Sequence, residues 1–220
     1  MDRFEFYSFE QAQLLQSVGK ANHPGVCAAL CAAWLESISN APELAPARRL
    51  LQFAGISSKI ISAQDKLANE WGPKGPEAAR KEMGQDAGLD YDEQTQIVVA
   101  ASIGLKGIEA KVGSDLRMPG FAVLWEVVFK QPSVASDESH QVAGFCAFRP
   151  SEEPYPKTTF TRDPDRNIHY KWLHIFEPNL GEYGAPVSAL GDVLQDINGR
   201  LAYYSWVHKI HRIAVQQVRI

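Results

Sequence analysis

Cys27 stands at the mouth of an Ala-rich apolar run, Gly25-Val26-Cys27-Ala28-Ala29-Leu30-Cys31-Ala32-Ala33-Trp34-Leu35. A helix starting there would set the thiol against unsatisfied backbone N–H groups and the positive end of the helix dipole, both of which stabilise a thiolate. Gly25 permits close backbone approach, and Asn22, five residues before the cysteine, can offer a side-chain N–H to an oxyanion beside the backbone N–H of Cys27. A thiol nucleophile also needs a base held in the right tautomer by a third group. His140 opens the apolar stretch His140-Gln141-Val142-Ala143-Gly144-Phe145, and the next one closes on Phe176-Glu177-Pro178-Asn179. In neighbouring antiparallel strands the start of one lies beside the end of the next, so Glu177 can accept a bond from the His140 ring. Such a set performs attack of sulfur on a carbonyl carbon.

Each of these residues also has a plainer reading. Cys27 could be a small hydrophobe in a packed helix, His140 an exposed strand-start residue, and Glu177 the cap of a turn with Pro178 and Asn179. The remaining cysteines are expected to be structural: Cys31 lies one helical turn beyond Cys27 and points into the core, and Cys146 falls among strand apolars. His174 rivals His140 as a base, but it precedes Glu177 by three residues, and an odd separation on one strand puts the two on opposite faces.

The elements that must position these groups follow from periodicity. Residues 8–18 open with Ser8-x-x-Gln11, which has the form of a capping box before a short helix. A buried helix then runs from Pro24 to about Asn40 with Cys27 in its first turn. Amphipathic helices are predicted at residues 42–53, 57–71 and 77–84, the last two separated by Gly72-Pro73-Lys74-Gly75-Pro76. A further helix is expected at 97–103. Apolar runs bounded by Gly and Pro predict antiparallel strands at 107–112, 121–129, 140–148 and 169–176. The proline-rich residues 149–166 read as an insertion between two adjacent strands, and a helix at 187–198 and a closing strand at 201–207 complete the chain. Helices first and antiparallel strands after make an α+β arrangement, expected as one domain over residues 1–220.

Composition narrows the function. The chain has 220 residues, 45% hydrophobic and 22% charged, an ordinary globular mixture. Its 22 Lys and Arg against 26 Asp and Glu leave a net charge of -4 without a basic stripe, which argues against a nucleic-acid partner. No apolar run is long enough for a membrane span or a cleavable signal peptide, so the chain is expected to be made in the cytosol. Three cysteines are too few for a disulfide framework. The Cys27-x3-Cys31 pair has no histidine pair near it, and His208 and His211 stand alone, so no zinc site is expected. The five tryptophans are spread along the chain and suit core filling better than stacking on bases.

The residues resemble a known family. The run from Gly25 to Leu35 is similar to the nucleophile helix of YopT/AvrPphB-type cysteine peptidases, in which Gly-x-Cys is followed by small residues and a tryptophan. Phe176-Glu177-Pro178-Asn179-Leu180-Gly181-Glu182-Tyr183 is similar to that family's Phe-Asp-Pro-Asn-aromatic-Gly-Glu-Phe signature, and Ser139-His140-Gln141-Val142 sits where the family places its histidine. The resemblance implies a papain-like α+β fold with Cys27 as nucleophile, His140 as general base, Glu177 as orienting carboxylate and Asn22 as oxyanion donor, with no metal or organic cofactor. Glu182 corresponds to the family's second acid, a structural partner. Two departures stand out: glutamate replaces the usual aspartate, and His140 and Glu177 are 37 residues apart (177 minus 140), about twice the usual spacing.

The resemblance further implies a bacterial effector or toxin that cleaves a protein in a target cell, exported without a cleavable signal, with an immunity protein or chaperone as a possible partner. Two alternatives stay open on the residues alone. The same triad supports deamidase, transglutaminase or acyltransferase chemistry, and a chain that had lost activity would serve as a binding module.

Overall fold

The computed structural model describes residues 5–42, 44–91, 97–100, 121–130, 138–150, 169–186, 189–193, 195–197 and 209–219. A short strand β1 (Glu5–Ser8) and helix α1 (Gln11–Ser17) lead into α2 (Cys27–Asn40), followed by α3 (Pro46–Gly55), α4 (Ser57–Lys74) and α5 (Pro76–Asp86). The strands are β2 (Asp90–Tyr91), β3 (Ile97–Ala100), β4 (Phe121–Lys130), β5 (Glu138–Pro150), β6 (His169–Glu177), β7 (Gly181–Pro186) and β8 (Lys209–Arg219). They form one sheet in the order β1-β7-β6-β5-β4-β8-β2, with β3 also paired to β8, and every described pairing is antiparallel. Sequence neighbours β4 to β7 make a meander, and segments near the two ends of the chain, β1 and β8, are added on either side of it.

α2 packs chiefly against β5. Its small residues explain the close approach: Ala28, Ala29, Cys31 and Ala32 are all buried, with Leu30, Trp34, Leu35 and Ile38 filling the space around them. Trp34 stacks on Phe176 of β6 at 5.7 Å between ring centroids and 14° between planes. Phe9 and Phe53 close on the same ring at 5.8 and 5.7 Å. Full burial of such a ring contributes about 2–3 kcal/mol, so this aromatic cluster fixes α2 and α3 against the strand that ends in Glu177.

A buried polar cluster adjoins it. Glu182 of β7 takes hydrogen bonds from Arg49 Nη1 at 2.5 Å and Trp34 Nε1 at 2.9 Å, and pairs with His174 Nδ1 at 3.1 Å. Arg49 Nη2 also donates to the carbonyls of Leu44 and Ala41, at 2.8 and 3.3 Å. All three charged or titratable side chains are fully buried. Glu182 thus binds α2, α3, β6 and β7 together, and His174 is a core group rather than a surface one.

Several sequence expectations are corrected. Residues 97–100 are strand β3, not the start of a helix, because the β-branched run Ile97-Val98-Val99 pairs with β8. Residues 8–18 do not form a capping-box helix: Ser8 ends β1 opposite Gly181, α1 starts at Gln11, and no side chain caps it. The helix expected from residue 42 begins at Pro46, where the fixed φ of proline suits the first helical position. α4 runs past Gly72 and Pro73 before Gly75, at φ 82°, ends it. Strands β7 and β8 were not anticipated. The helix expected at 187–198 is described at residues 190–193 and 195–197. The predicted strands at 107–112 and 201–207, and nearly all of the insertion, lie outside the described residues. Gly181 has a positive φ of 134°, and a Cβ there would sit 1.9 Å from the Tyr7 carbonyl oxygen, so only glycine lets β1 and β7 pair.

Candidate active site

Cys27 is the first residue of α2, and its side chain is partly exposed. The turn before it contains Gly25 at φ 139°, a conformation that glycine tolerates and other residues avoid. Behind the thiol the helix entry is held by two glutamines from other elements. Gln11 Oε1 accepts from the Val26 N–H at 2.8 Å, and Gln64 Oε1 of α4 accepts from the Ala29 N–H at 3.1 Å. Among the described residues no group takes the N–H of Cys27, which leaves it as a donor for a developing oxyanion.

β5 and β6 bring up the other two groups. Their register pairs Ala143 with Phe176, so Glu177 falls opposite Val142 and His140 lies two residues further along on the same face. The contact is diagonal, and the added methylene of glutamate over aspartate supplies its reach. His140 Nε2 is hydrogen-bonded to Glu177 Oε1, inside a site where Glu177 is fully buried. The other carboxylate oxygen, Oε2, accepts from the Asn179 N–H at 3.0 Å. With Nε2 engaged by the carboxylate, Nδ1 is the ring nitrogen left for the Cys27 sulfur, whose thiolate form His140 favours.

The electrostatics favour a charge-separated pair. Burial by itself would raise the Cys27 pKa. The hydrogen bond and positive charge of His140, with the N–H groups of Gln141 and Ala28, outweigh it and hold the thiol below its ordinary value. Burial likewise opposes the charge on His140, but Cys27 on one side and Glu177 on the other push it up to about 10. An imidazolium donates from both nitrogens, and the thiolate and carboxylate are the two acceptors it requires.

Cys31 behaves in the opposite way. It is fully buried one turn along α2, and its thiol donates to the Gln141 carbonyl at 3.4 Å. Burial, followed by the negative charges of Cys27 and Glu177, raises its pKa well above the ordinary value, so it remains a thiol. The Gln141 main chain thus treats the two cysteines of one helix differently: its C=O accepts from Cys31, while its N–H helps to lower the pKa of Cys27.

The structure therefore brings Cys27, His140 and Glu177 together. Asn22 is an exposed turn residue upstream of Cys27, and among the described residues its side chain has no hydrogen-bond partner. Cys146 is on β5 at the register of Leu173, and its side chain lies outside those described. Among the described residues no group of His, Cys, Asp or Glu side chains is arranged to hold a metal. Sequence reasoning missed Gln11 and Gln64, since a lone glutamine on a surface helix carries no signal of which distant N–H it will cap.

No family model and no curated protein matches the sequence. Among solved structures, the chain is similar to the crystal structure of the Pseudomonas avirulence protein AvrPphB, with a TM-score of 0.62 and 19% sequence identity over 90% of this chain and 94% of that one. At that identity the likeness is one of fold, a helical part packed on an antiparallel sheet in the papain-like α+β manner.

Proposed function

We propose that the protein is a cysteine protease whose nucleophile is Cys27, general base His140 and orienting carboxylate Glu177. The observation that carries this reading is the His140 ring bonded to a buried carboxylate, together with a thiol at the first residue of a helix that His140 holds below its ordinary pKa. In the reaction, the Cys27 thiolate adds to the scissile carbonyl carbon and the C=O pair moves onto oxygen. The oxyanion is met by the Cys27 N–H and the Asn22 side-chain N–H. Collapse of the adduct breaks the C–N bond while the imidazolium gives its proton to the leaving amine, leaving a thioester. Water, deprotonated by the now neutral His140, adds to the thioester, and expulsion of the thiolate restores the pair. No cofactor enters any step.

The substrate in this reading is a protein of a target cell, and the chain is an effector or toxin made in a bacterial cytoplasm and delivered into that cell. A fold neighbour described as an avirulence protein supports that placement. A cognate immunity protein or secretion chaperone that covers the cleft would protect the producing cell.

The test has two stages. Alkylation of Cys27 by a haloacetamide is followed against pH in the parent and in His140→Ala, with Cys31 and Cys146 quantified in the same digest. Labelling of Cys27 well below the ordinary thiol pKa of about 8.5, lost in the variant, supports the dyad. Uniformly slow labelling of all three cysteines overturns it. A target-cell lysate treated with parent or Cys27→Ala protein is then searched for new α-amines. New termini that require Cys27 establish peptide hydrolysis; a mass gain of about 1 Da on glutamine without new termini would replace it with deamidation.

A further inference from the structure

We propose that Gln11, outside the triad, is a positioning residue that couples the nucleophile to the acid through its side-chain amide. The inference rests on the protease reading of the Cys27 site.

The orientation of this amide is decided by its neighbours. The Val26 backbone N–H can only donate, so the atom facing it at 2.8 Å must be Gln11 Oε1. Nε2 is then turned the other way, where it donates to Asn179 Oδ1 at 2.6 Å. The Gln11 backbone N–H donates to the Pro178 carbonyl at 2.9 Å, which pins α1 to the same turn. Asn179 in turn gives its own N–H to Glu177 Oε2, and Glu177 Oε1 is bonded to His140. Since Val26 immediately precedes Cys27, the contacts close a ring: Cys27, His140, Glu177, Asn179, Gln11 and Val26.

The ring answers a problem that the fold creates. The nucleophile is on a helix and the acid at the end of a strand, and α2 contacts β5 far more than β6, meeting the latter chiefly through the Trp34–Phe176 stack. The helix begins without a side-chain cap of its own, and Gly25 before it, at φ 139°, is held only through its N–H to His23 Nδ1, on the α4 side of the site. Gln11 supplies the missing cap from a third element and ties it to the residue that holds Glu177 Oε2. Gln64 caps the same helix without touching the acid side, so the coupling belongs to Gln11.

The experiment measures the pH–rate profile of Cys27 alkylation by iodoacetamide in the full chain, with thermal melting as a parallel readout. Gln11→Met keeps the bulk and removes both amide contacts, and Asn179→Ala removes one acceptor while keeping the backbone N–H to Glu177. Loss of one such hydrogen bond corresponds to about a fivefold effect. Each variant is expected to label Cys27 about fivefold more slowly below the ordinary thiol range, with the inflection moved to higher pH. The double variant is expected to be no slower than Gln11→Met, because both changes break one chain of contacts. Should Gln11→Met fail to fold, Asn179→Ala still reads the Gln11–Asn179 contact. A lowered melting temperature with an unchanged labelling profile would overturn the proposal, as would single effects that multiply in the double variant. Absence of low-pH, His140-dependent labelling in the parent would overturn the protease reading itself, and this proposal with it.

Discussion

Glu177→Gln keeps the shape of the site and removes its charge. The amide oxygen of the new side chain can still accept the Asn179 N–H, but its NH2 then faces His140 Nε2, so two donors meet unless the ring gives up a proton. In the parent, His140 is held up at about 10 with Glu177 among the causes. A hydrogen bond to a charged group contributes about 1.5–3 kcal/mol. At 1.36 kcal/mol per pKa unit, its loss lowers the His140 value by about 1–2 units. Glu177 is fully buried, so solvent screening does not diminish the effect. The assay is NMR titration of the imidazole resonances of labelled histidine in both proteins. Where the ring is neutral, the proton would reside on Nδ1, the nitrogen that must receive the proton of the sulfur, and in triads of this kind the wrong tautomer slows turnover by about 10⁴-fold. If His140 titrates at the same pH in both proteins, or near the ordinary 6.5 in the parent, the account of Glu177 is wrong.

Two further predictions concern stability. Glu182→Gln strands Arg49 in a fully buried site and is expected to cost about 3–5 kcal/mol in chemical denaturation, with a loss below about 1 kcal/mol counting against the network. Burial would raise the Glu182 pKa, but His174, Arg49 and Trp34 hold it below the ordinary 4.5; its contribution is therefore present above that pH and lost as pH falls through the folded-state value. The variant should accordingly show a shallower acid-side decline than the parent. Gly181→Ala puts a Cβ 1.9 Å from the Tyr7 carbonyl at a positive φ and is expected to cost about 1–3 kcal/mol or more. Gly55→Ala at the end of α3 meets nothing within 4 Å and should be neutral or stabilising by about 0.5–1 kcal/mol; equal effects of the two alanines on the denaturation midpoint would refute the argument from backbone space.

Local signals were enough for the elements that carry the reactive groups. The Ala-rich run from Gly25 has a helix start built into its composition, which put Cys27 in the first turn, and the apolar stretches at His140 and before Glu177 have the alternation and boundaries of strands. Residues 97–100 were misread because a short apolar run fits either period, and only β8, more than a hundred residues later, decides that it pairs. The Ser8-x-x-Gln11 pattern misled for a related reason: Ser8 is needed in the β1 ladder, and the Gln11 amide finds partners at Val26 and Asn179.

By itself the sequence determined that Cys27 would meet a helix dipole, that His140 would lie near the start of one strand and Glu177 at the end of another, and that Cys31 would be buried one turn from Cys27, since each depends on neighbours within a few residues. Tertiary structure decided the rest. Register between β5 and β6 placed His140 diagonal to Glu177 across a gap that glutamate spans, and the packing of α2 on β5 brought the thiol to the ring. The Gln11 bridge and the Glu182–Arg49 pair join residues 168 and 133 positions apart. No local propensity encodes such partners, because a hydrogen bond specifies a distance and an angle in space, and the chain supplies those only after the whole sheet has closed.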